Sequence, residues 1–213
     1  MTTSILVLGA TGKTGRRVVS QLERRDVRVC AASRHGPTRF DWNDERTWAP
    51  ALDGVDAVYV VDSEDADAAR SLGAFAALAV ERGAARLAFL SARDWAVSGG
   101  EEELAGERAV QGSGADWTIL RPTWFAQNFS ESPFLAAPVR DGQVVLSTGD
   151  GLEPFIDAED IAAVAVAALT EDGHAGQVYE LSGPRLLSFG DAVEEIAAAS
   201  GRNIRFVSAS TEE

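Results

Sequence analysis

Ser4-Ile5-Leu6-Val7-Leu8-Gly9-Ala10-Thr11-Gly12-Lys13-Thr14-Gly15-Arg16-Arg17-Val18-Val19 is the stretch on which the fold turns. Four apolar residues in a row, Ile5 to Leu8, predict a short strand buried on both faces, as in a parallel sheet. Gly9, Gly12 and Gly15 follow at a spacing of three, and Val18, Val19 and Leu22 then fall on one side of a helix. Strand, glycine turn and helix together aim backbone N–H groups and the positive end of a helix at a pyrophosphate. Gly9 permits the tight turn, Gly12 lets backbone approach a phosphate, and Gly15 lets the helix lie close to the strand. Thr11, Lys13 and Thr14 fill the turn and complete the candidate phosphate site. Gly12-Lys13-Thr14 imitates the end of a Walker A loop, but that motif needs a glycine where Val7 stands, so a nucleoside triphosphatase is excluded.

The rest of the unit agrees. Val27 to Ser33 predicts a second strand ending in Ser33-Arg34. An NAD site usually places an acid near this point for the ribose 2′-hydroxyl; serine and arginine suit a 2′-phosphate instead, so NADP(H) is the preferred cofactor, with NAD(H) still open. Asp41 and Trp42 follow a Gly-Pro loop and are candidates to border the adenine. A helix is expected over 44–52, a strand over 56–61, a helix over 66–82, a strand over 86–91, a helix over 101–111 and a strand over 117–120. Strands alternating with helices predict an α/β fold, a Rossmann-like doubly wound parallel sheet. Beyond about residue 122 the pattern loosens, with short strands at 144–146, 154–156, 178–181 and 204–207 and helices over 157–170 and 188–200. The chain reads as a single NAD(P)-binding domain, 1–213, in which about 122–213 form a small C-terminal substrate-binding portion covering the strand ends.

Composition narrows the partners. The net charge is −14, which repels phosphate backbones and disfavours nucleic acid. The single cysteine, Cys30, cannot form an internal disulfide and reads as a small buried hydrophobe. The first apolar run stops after four residues, so it is a strand rather than a signal peptide, and the run Ile161–Leu169 is too short to span a bilayer. A cytoplasmic protein without a membrane partner is expected, and a homodimer is left open. Lys13 is the sole lysine and alanine is abundant, a bias that suggests a bacterial source. His35 and His174 lie in separate predicted loops, so no metal site is suggested.

Several of these pieces together resemble the atypical short-chain dehydrogenases of the NmrA-like group, which includes quinone-oxidoreductase-like and ergot-pathway-like reductases. The resemblance rests on Gly9-Ala10-Thr11-Gly12-Lys13-Thr14-Gly15, Ser33-Arg34, the Asp41 position and Leu90-Ser91. It extends through Ser113-Gly114-Ala115-Asp116-Trp117-Thr118-Ile119-Leu120-Arg121-Pro122, Phe155-Ile156-Asp157 before Asp160-Ile161-Ala162, Gly173-His174-Ala175-Gly176 and Tyr179-Glu180-Leu181-Ser182-Gly183-Pro184. It implies a Rossmann fold, a bound NAD(P) and a small substrate portion.

Short-chain dehydrogenases commonly protonate with a Tyr-xxx-Lys pair assisted by serine. Here the sole lysine is in the glycine turn and Tyr59 and Tyr179 lie in predicted strands. Glu103 and Glu107 fall roughly where that pair would stand; two acids cannot act as the cationic lysine, and the acidic run 101–103 reads as a solvated helix start. Ser91, ending the fourth strand on the nicotinamide rim, is the first candidate for contact with a substrate oxygen, and Asp94 is a weaker candidate acid that needs burial to serve. Pro122 and its neighbours Arg121 and Thr123 end the fifth strand, where backbone can meet the nicotinamide carboxamide. Trp124, Phe125, Asn128 and Phe129 form a candidate wall for an aromatic or quinone substrate, with core packing as the competing explanation. The expected activity is NADPH-dependent reduction of a small quinone-like or conjugated substrate without a Tyr-Lys pair. The alternative is a catalytically silent NADP(H)-binding sensor that acts through a protein partner.

Overall fold

The computed structural model describes residues 2–63, 65, 67–97, 99 and 104–209. They group into two compact units: 1–122 with 159–181, and 123–158 with 182–213.

In the first unit, strand β1 (Ser4–Val7) leads to helix α1 (Gly15–Leu22), β2 (Arg28–Ser33) and β3 (Thr38–Arg39). A 3-10 turn (Glu45–Thr47) and α2 (Trp48–Ala51) precede β4 (Ala57–Val60) and α3 (Ala68–Glu81). Then come β5 (Arg86–Leu90), α4 (Arg93–Val97), α5 (Ala105–Gln111) and β6 (Asp116–Pro122). The second unit holds α6 (Asn128–Glu131), α7 (Pro133–Asp141), β7 (Gln143–Leu146) and β8 (Leu152–Glu153). The chain returns to the first unit through α8 (Ala158–Thr170) and β9 (Gln177–Leu181). It finishes in the second with β10 (Leu187–Ser188), α9 (Phe189–Ser200) and β11 (Arg205–Ser208).

Seven strands of the first unit form one sheet in the order β3-β2-β1-β4-β5-β6-β9, every neighbouring pair parallel. Alternate residues of each central strand serve opposite faces, and both faces are apolar. Leu6, Leu8, Val58, Val60, Leu87, Phe89 and Ile119 pack with Leu72, Phe75 and Ala76 of α3 and Val110 of α5. Ile5, Val7, Ala57, Tyr59, Ala88 and Leu120 pack with Val18 and Leu22 of α1 and Ala162, Ala165 and Val166 of α8. Each such fully buried aliphatic side chain contributes roughly 1.5–3 kcal/mol through burial. The expected doubly wound parallel sheet is therefore present. Because strand order reverses at β1, with β2 to one side and β4 to the other, the carboxyl ends of β1 and β4 border the crevice where such sheets take ligands.

The second unit pairs β7 with β11 in parallel and β8 with β10 antiparallel. Its core is Phe129, Leu135, Val139, Val144, Phe189, Val193 and Ile204. Here the sequence pattern is least faithful. The strand expected at 154–156 is displaced to β8, with Ile156 retained only in a single bridge to Phe125. Pro154 has no N–H for a ladder, which explains the shift. Helix α7 was hidden by Pro133 and Pro138: the first opens the helix, where the missing N–H costs nothing, and the second is tolerated in its interior. Cys30 is half-buried rather than buried, with its Sγ 3.7 Å from Ser4 Oγ.

Candidate active site at the carboxyl ends of the sheet

The glycine turn takes the shape its sequence calls for. Gly9 adopts φ +60°, in the left-handed region that side chains other than glycine's rarely enter. Gly12 N–H closes the turn onto Gly9 O at 2.8 Å. A Cβ on Gly15 would lie 2.2 Å from Gly9 O, so α1 rests directly on the turn only because this residue has no side chain. Thr11 is exposed and Lys13 half-buried, while Thr14, the residue before α1, is buried. Lys13 O accepts from Arg17 Nη1 at 2.7 Å, and Arg17 Nε lies 3.1 Å from Glu159 Oε1, which ties the turn to α8. Under the turn lies Tyr59, fully buried. Burial pushes its phenol well above the ordinary value of 10.0, and Thr14 partly offsets this as a polar neighbour without forming a well-aligned hydrogen bond.

Ser33 closes β2 and Arg34 follows it, exposed and without a hydrogen-bond or ion-pair partner among the described residues. Asp41 and Trp42 are more committed to the fold. Asp41 Oδ1 accepts from Asn43 N–H at 3.0 Å, and its carbonyl accepts from Trp48 Nε1 at 3.0 Å. Trp42 donates from Nε1 to Val61 O at 3.1 Å and packs edge-on against Phe40, Trp48 and Phe75.

The end of β5 holds the feature that the sequence did not reveal. Ser91 Oγ donates to Glu107 Oε1 at 2.5 Å, and Glu107 is only 3% exposed. Arg121 grips the same carboxylate with two N–H groups, Nε to Oε1 at 2.9 Å and Nη2 to Oε2 at 2.7 Å, and donates from Nη1 to Glu180 Oε1 at 3.0 Å. The network joins β5, α5, β6 and β9. Hydrogen bonding by Glu107 raises the already high guanidinium pKa of Arg121 further, with Glu180 adding to it, so the cation is permanent. Glu107 is thus a core anchor rather than part of a solvated acidic face; 101–103, read as that face, lie outside the described residues. The available signal was helical spacing: Glu107 stands three residues before Val110, which is itself fully buried. Gly106 beside it admits Leu72 and Phe89, each about 3.3 Å from where a Cβ would stand.

Pro122 ends β6 and is buried. Asp94 lies exposed in α4, so the burial required of a carboxylic acid donor is missing there. In the second unit, Trp124 meets Phe189 edge-on at 5.3 Å, and Phe129 meets Phe155 at 5.4 Å. Both belong to that unit's core; Phe125 and Asn128 are half-buried. The main chain from 123 is held by Thr123 Oγ1 to Pro154 O at 2.7 Å and by Trp124 N–H to Glu153 Oε1 at 3.0 Å.

The parallel sheet therefore brings the glycine turn, Arg34, Ser91 and Pro122 to one edge. With strands spaced about 4.8 Å apart, Arg34 lies one strand from the turn, and Ser91 two strands, about 10 Å, to the other side. Close helix approach at Gly15 and the left-handed Gly9 fit a dinucleotide pyrophosphate. A family model described as NAD(P)H-binding matches residues 9–172. The chain belongs to this NAD(P)H-binding family. Its NmrA-like, atypical short-chain dehydrogenase character, read from the motifs, holds. Festuclavine synthase I of Penicillium roqueforti is 33% identical over 94% of this chain and 75% of its own length. The NAD(P)H azoreductase of Xenophilus azovorans is 34% identical over 98% of this chain and 78% of its own. In fold, the family member resembles the Escherichia coli NADPH-dependent quinone oxidoreductase crystallised with NADPH, at TM-score 0.77 and 23% identity, over 98% of this chain and 79% of that one. No helix among the described residues is long and apolar enough to cross a membrane.

Proposed function

We propose that this family member is an NADPH-dependent oxidoreductase that reduces a small quinone-like or otherwise conjugated substrate. The observation that carries the reading is an intact dinucleotide turn, with Gly15 in backbone contact with Gly9, in a chain that has no Tyr-Lys pair. The cofactor, when bound, supplies a hydride from its nicotinamide ring. The glycine turn would hold the pyrophosphate through the N–H groups that open α1, and the exposed guanidinium of Arg34 suits a 2′-phosphate better than a ribose diol. Ser91 and the main chain at Pro122 stand on the nicotinamide side. A conjugated acceptor delocalises the negative charge left by hydride, so water suffices as the proton source and a strong acid is not needed. The substrates named for the relatives, an azo compound and a quinone among them, support that class.

Residues from about 122 onward are read as supplying most of the substrate-recognising side chains, with Trp124, Phe125, Asn128 and Phe129 foremost. Since Trp124 and Phe129 are packed into their own unit's core, Phe125 and Asn128 are the stronger of the four. A small molecule, rather than nucleic acid, suits the net charge of −14. The single cysteine and the arginine-for-lysine bias support a bacterial cytoplasm.

The deciding experiment is NADPH oxidation followed at saturating cofactor with a panel of quinones, azo dyes and other conjugated acceptors. Turnover with at least one class is expected. Tight NADPH binding without turnover across the panel would instead favour the silent sensor.

A further inference from the structure

We propose that Glu107 and Arg121 are positioning residues that aim the Ser91 hydroxyl, so that Ser91 receives a hydrogen bond from the nicotinamide half of the dinucleotide rather than donating a proton to the reaction. This rests on the NADP(H) reading of the same sheet edge. Glu107 has both carboxylate oxygens engaged by the Arg121 fork, at 2.9 and 2.7 Å, and has no hydrogen of its own to give in that arrangement. The proton in the 2.5 Å contact is therefore the serine's, and it points inward, toward α5. A hydroxyl carries one donor and two acceptor sites; with the donor spent, the oxygen offers lone pairs only. Ser91 is buried, with 4% exposure, which keeps bulk water away from this pair. The nicotinamide half presents the matching chemistry, a carboxamide N–H2 and ribose hydroxyls.

Arg121 is what makes the aim durable. Its side chain is 20% exposed and also bridges to Glu180, which is half exposed, so the guanidinium is held from two sides. The backbone adds to this: Ser91 N–H donates to Leu120 O at 2.8 Å, fixing the end of β5 against β6.

The test compares calorimetric affinities of wild type, Ser91→Ala, Glu107→Gln and the double variant for two probes: NADP+, and 2′-phospho-ADP, which lacks both the nicotinamide and its ribose. Ser91→Ala should weaken NADP+ about five- to tenfold, the worth of one hydrogen bond, and leave the fragment within twofold. Glu107→Gln leaves one acceptor oxygen for the three donors that converge on the carboxylate, so the serine proton is no longer fixed and the same selective loss is expected. The double variant should lose no more than Ser91→Ala alone, since Glu107 acts through Ser91. Unchanged NADP+ binding by Ser91→Ala, equal weakening of both probes, or additive losses in the double variant would each overturn the proposal. If Glu107→Gln fails to fold, Arg121→Lys, which cannot make the fork, takes its place with the same expectation. A wild-type protein that binds neither probe would instead sink the cofactor reading itself.

Discussion

At the scale of single residues, two groups at the sheet edge separate binding from folding. Arg34 is exposed and has no partner among the described residues, so Arg34→Ala should leave stability within about 0.5 kcal/mol, as for surface substitutions generally. It should weaken NADPH roughly tenfold to a hundredfold while changing NADH little, the span of charge-assisted hydrogen bonds; calorimetry with both nucleotides checks this, and equal losses would mean that Arg34 does not meet the 2′-phosphate. Glu107 is the opposite case. Glu107→Ala strands a guanidinium that is largely buried, at a cost of roughly 3 kcal/mol, the low end for such pairs because Glu180 still holds Arg121. Thermal unfolding beside Arg121→Met would show it, since removing the cation instead leaves the charge problem on the carboxylate. Tyr59 adds a pH signature. Its folded-state pKa is raised by burial, so its contribution to stability is fully present below the ordinary value of 10.0 and is lost as pH rises above it. Wild-type stability should fall above pH 10, and Tyr59→Phe should blunt that fall; parallel alkaline denaturation curves would refute the assignment.

Elements carry the next set of expectations. The turn between β1 and α1 depends on Gly15 having no Cβ: Gly15→Ala places a carbon 2.2 Å from Gly9 O, and no flexible side chain is there to yield. The turn must open, at about 1–3 kcal/mol or more, with cofactor affinity falling over tenfold. Loss of stability without loss of binding would show that the turn is not a phosphate cradle. Helix α9 is stopped and started by local chemistry. Ser188 Oγ accepts from Asp191 N–H at 3.0 Å, and the Asp191 carboxylate accepts in return from Ser188 N–H at 2.9 Å, a capping box. Ser188 Oγ–H also donates to that carboxylate at 2.7 Å, and this bond first, then the one from Ser188 N–H, lowers the Asp191 pKa, so its contribution is present above the ordinary 3.8 and is lost as pH falls through the folded value. Ser188→Ala should lower the melting temperature by about 2–4 °C at neutral pH, and the difference from wild type should shrink in acid.

For the molecule as a whole, chain order matters more than length. The first unit is closed by α8 and β9, which are synthesised after the first excursion into the second unit. β9 pairs with β6 from Thr118 to Pro122, and Ala162, Ala165 and Val166 of α8 cover the face formed by Ile5, Val7 and Tyr59. A fragment ending at residue 122 would leave β6 as an open edge and expose the apolar surface that α8 covers. It should be aggregation-prone and weakly protected in hydrogen exchange, whereas the full chain protects β1, β4 and β5. A well-folded 1–122 fragment would show that closure is dispensable.

Much of this was legible in local sequence. Ile5–Leu8 and the three glycines determine strand, turn and helix because steric limits on backbone torsions and a period-two pattern act within a few residues. The central strands, the Ser188 start of α9 and its Gly201 stop follow from equally local chemistry. The second unit was harder, since its short strands and proline-bearing helix are held by contacts between distant segments that leave no periodic trace. Glu107 makes the difference plain. A glutamate between Gly106 and Arg108 carries the local mark of a solvated helix, and only the arrival of Arg121 and Ser91, from two other strands, turns it inward. A buried charge is tolerable only beside its counter-charge, and where that counter-charge lies is decided by the tertiary fold.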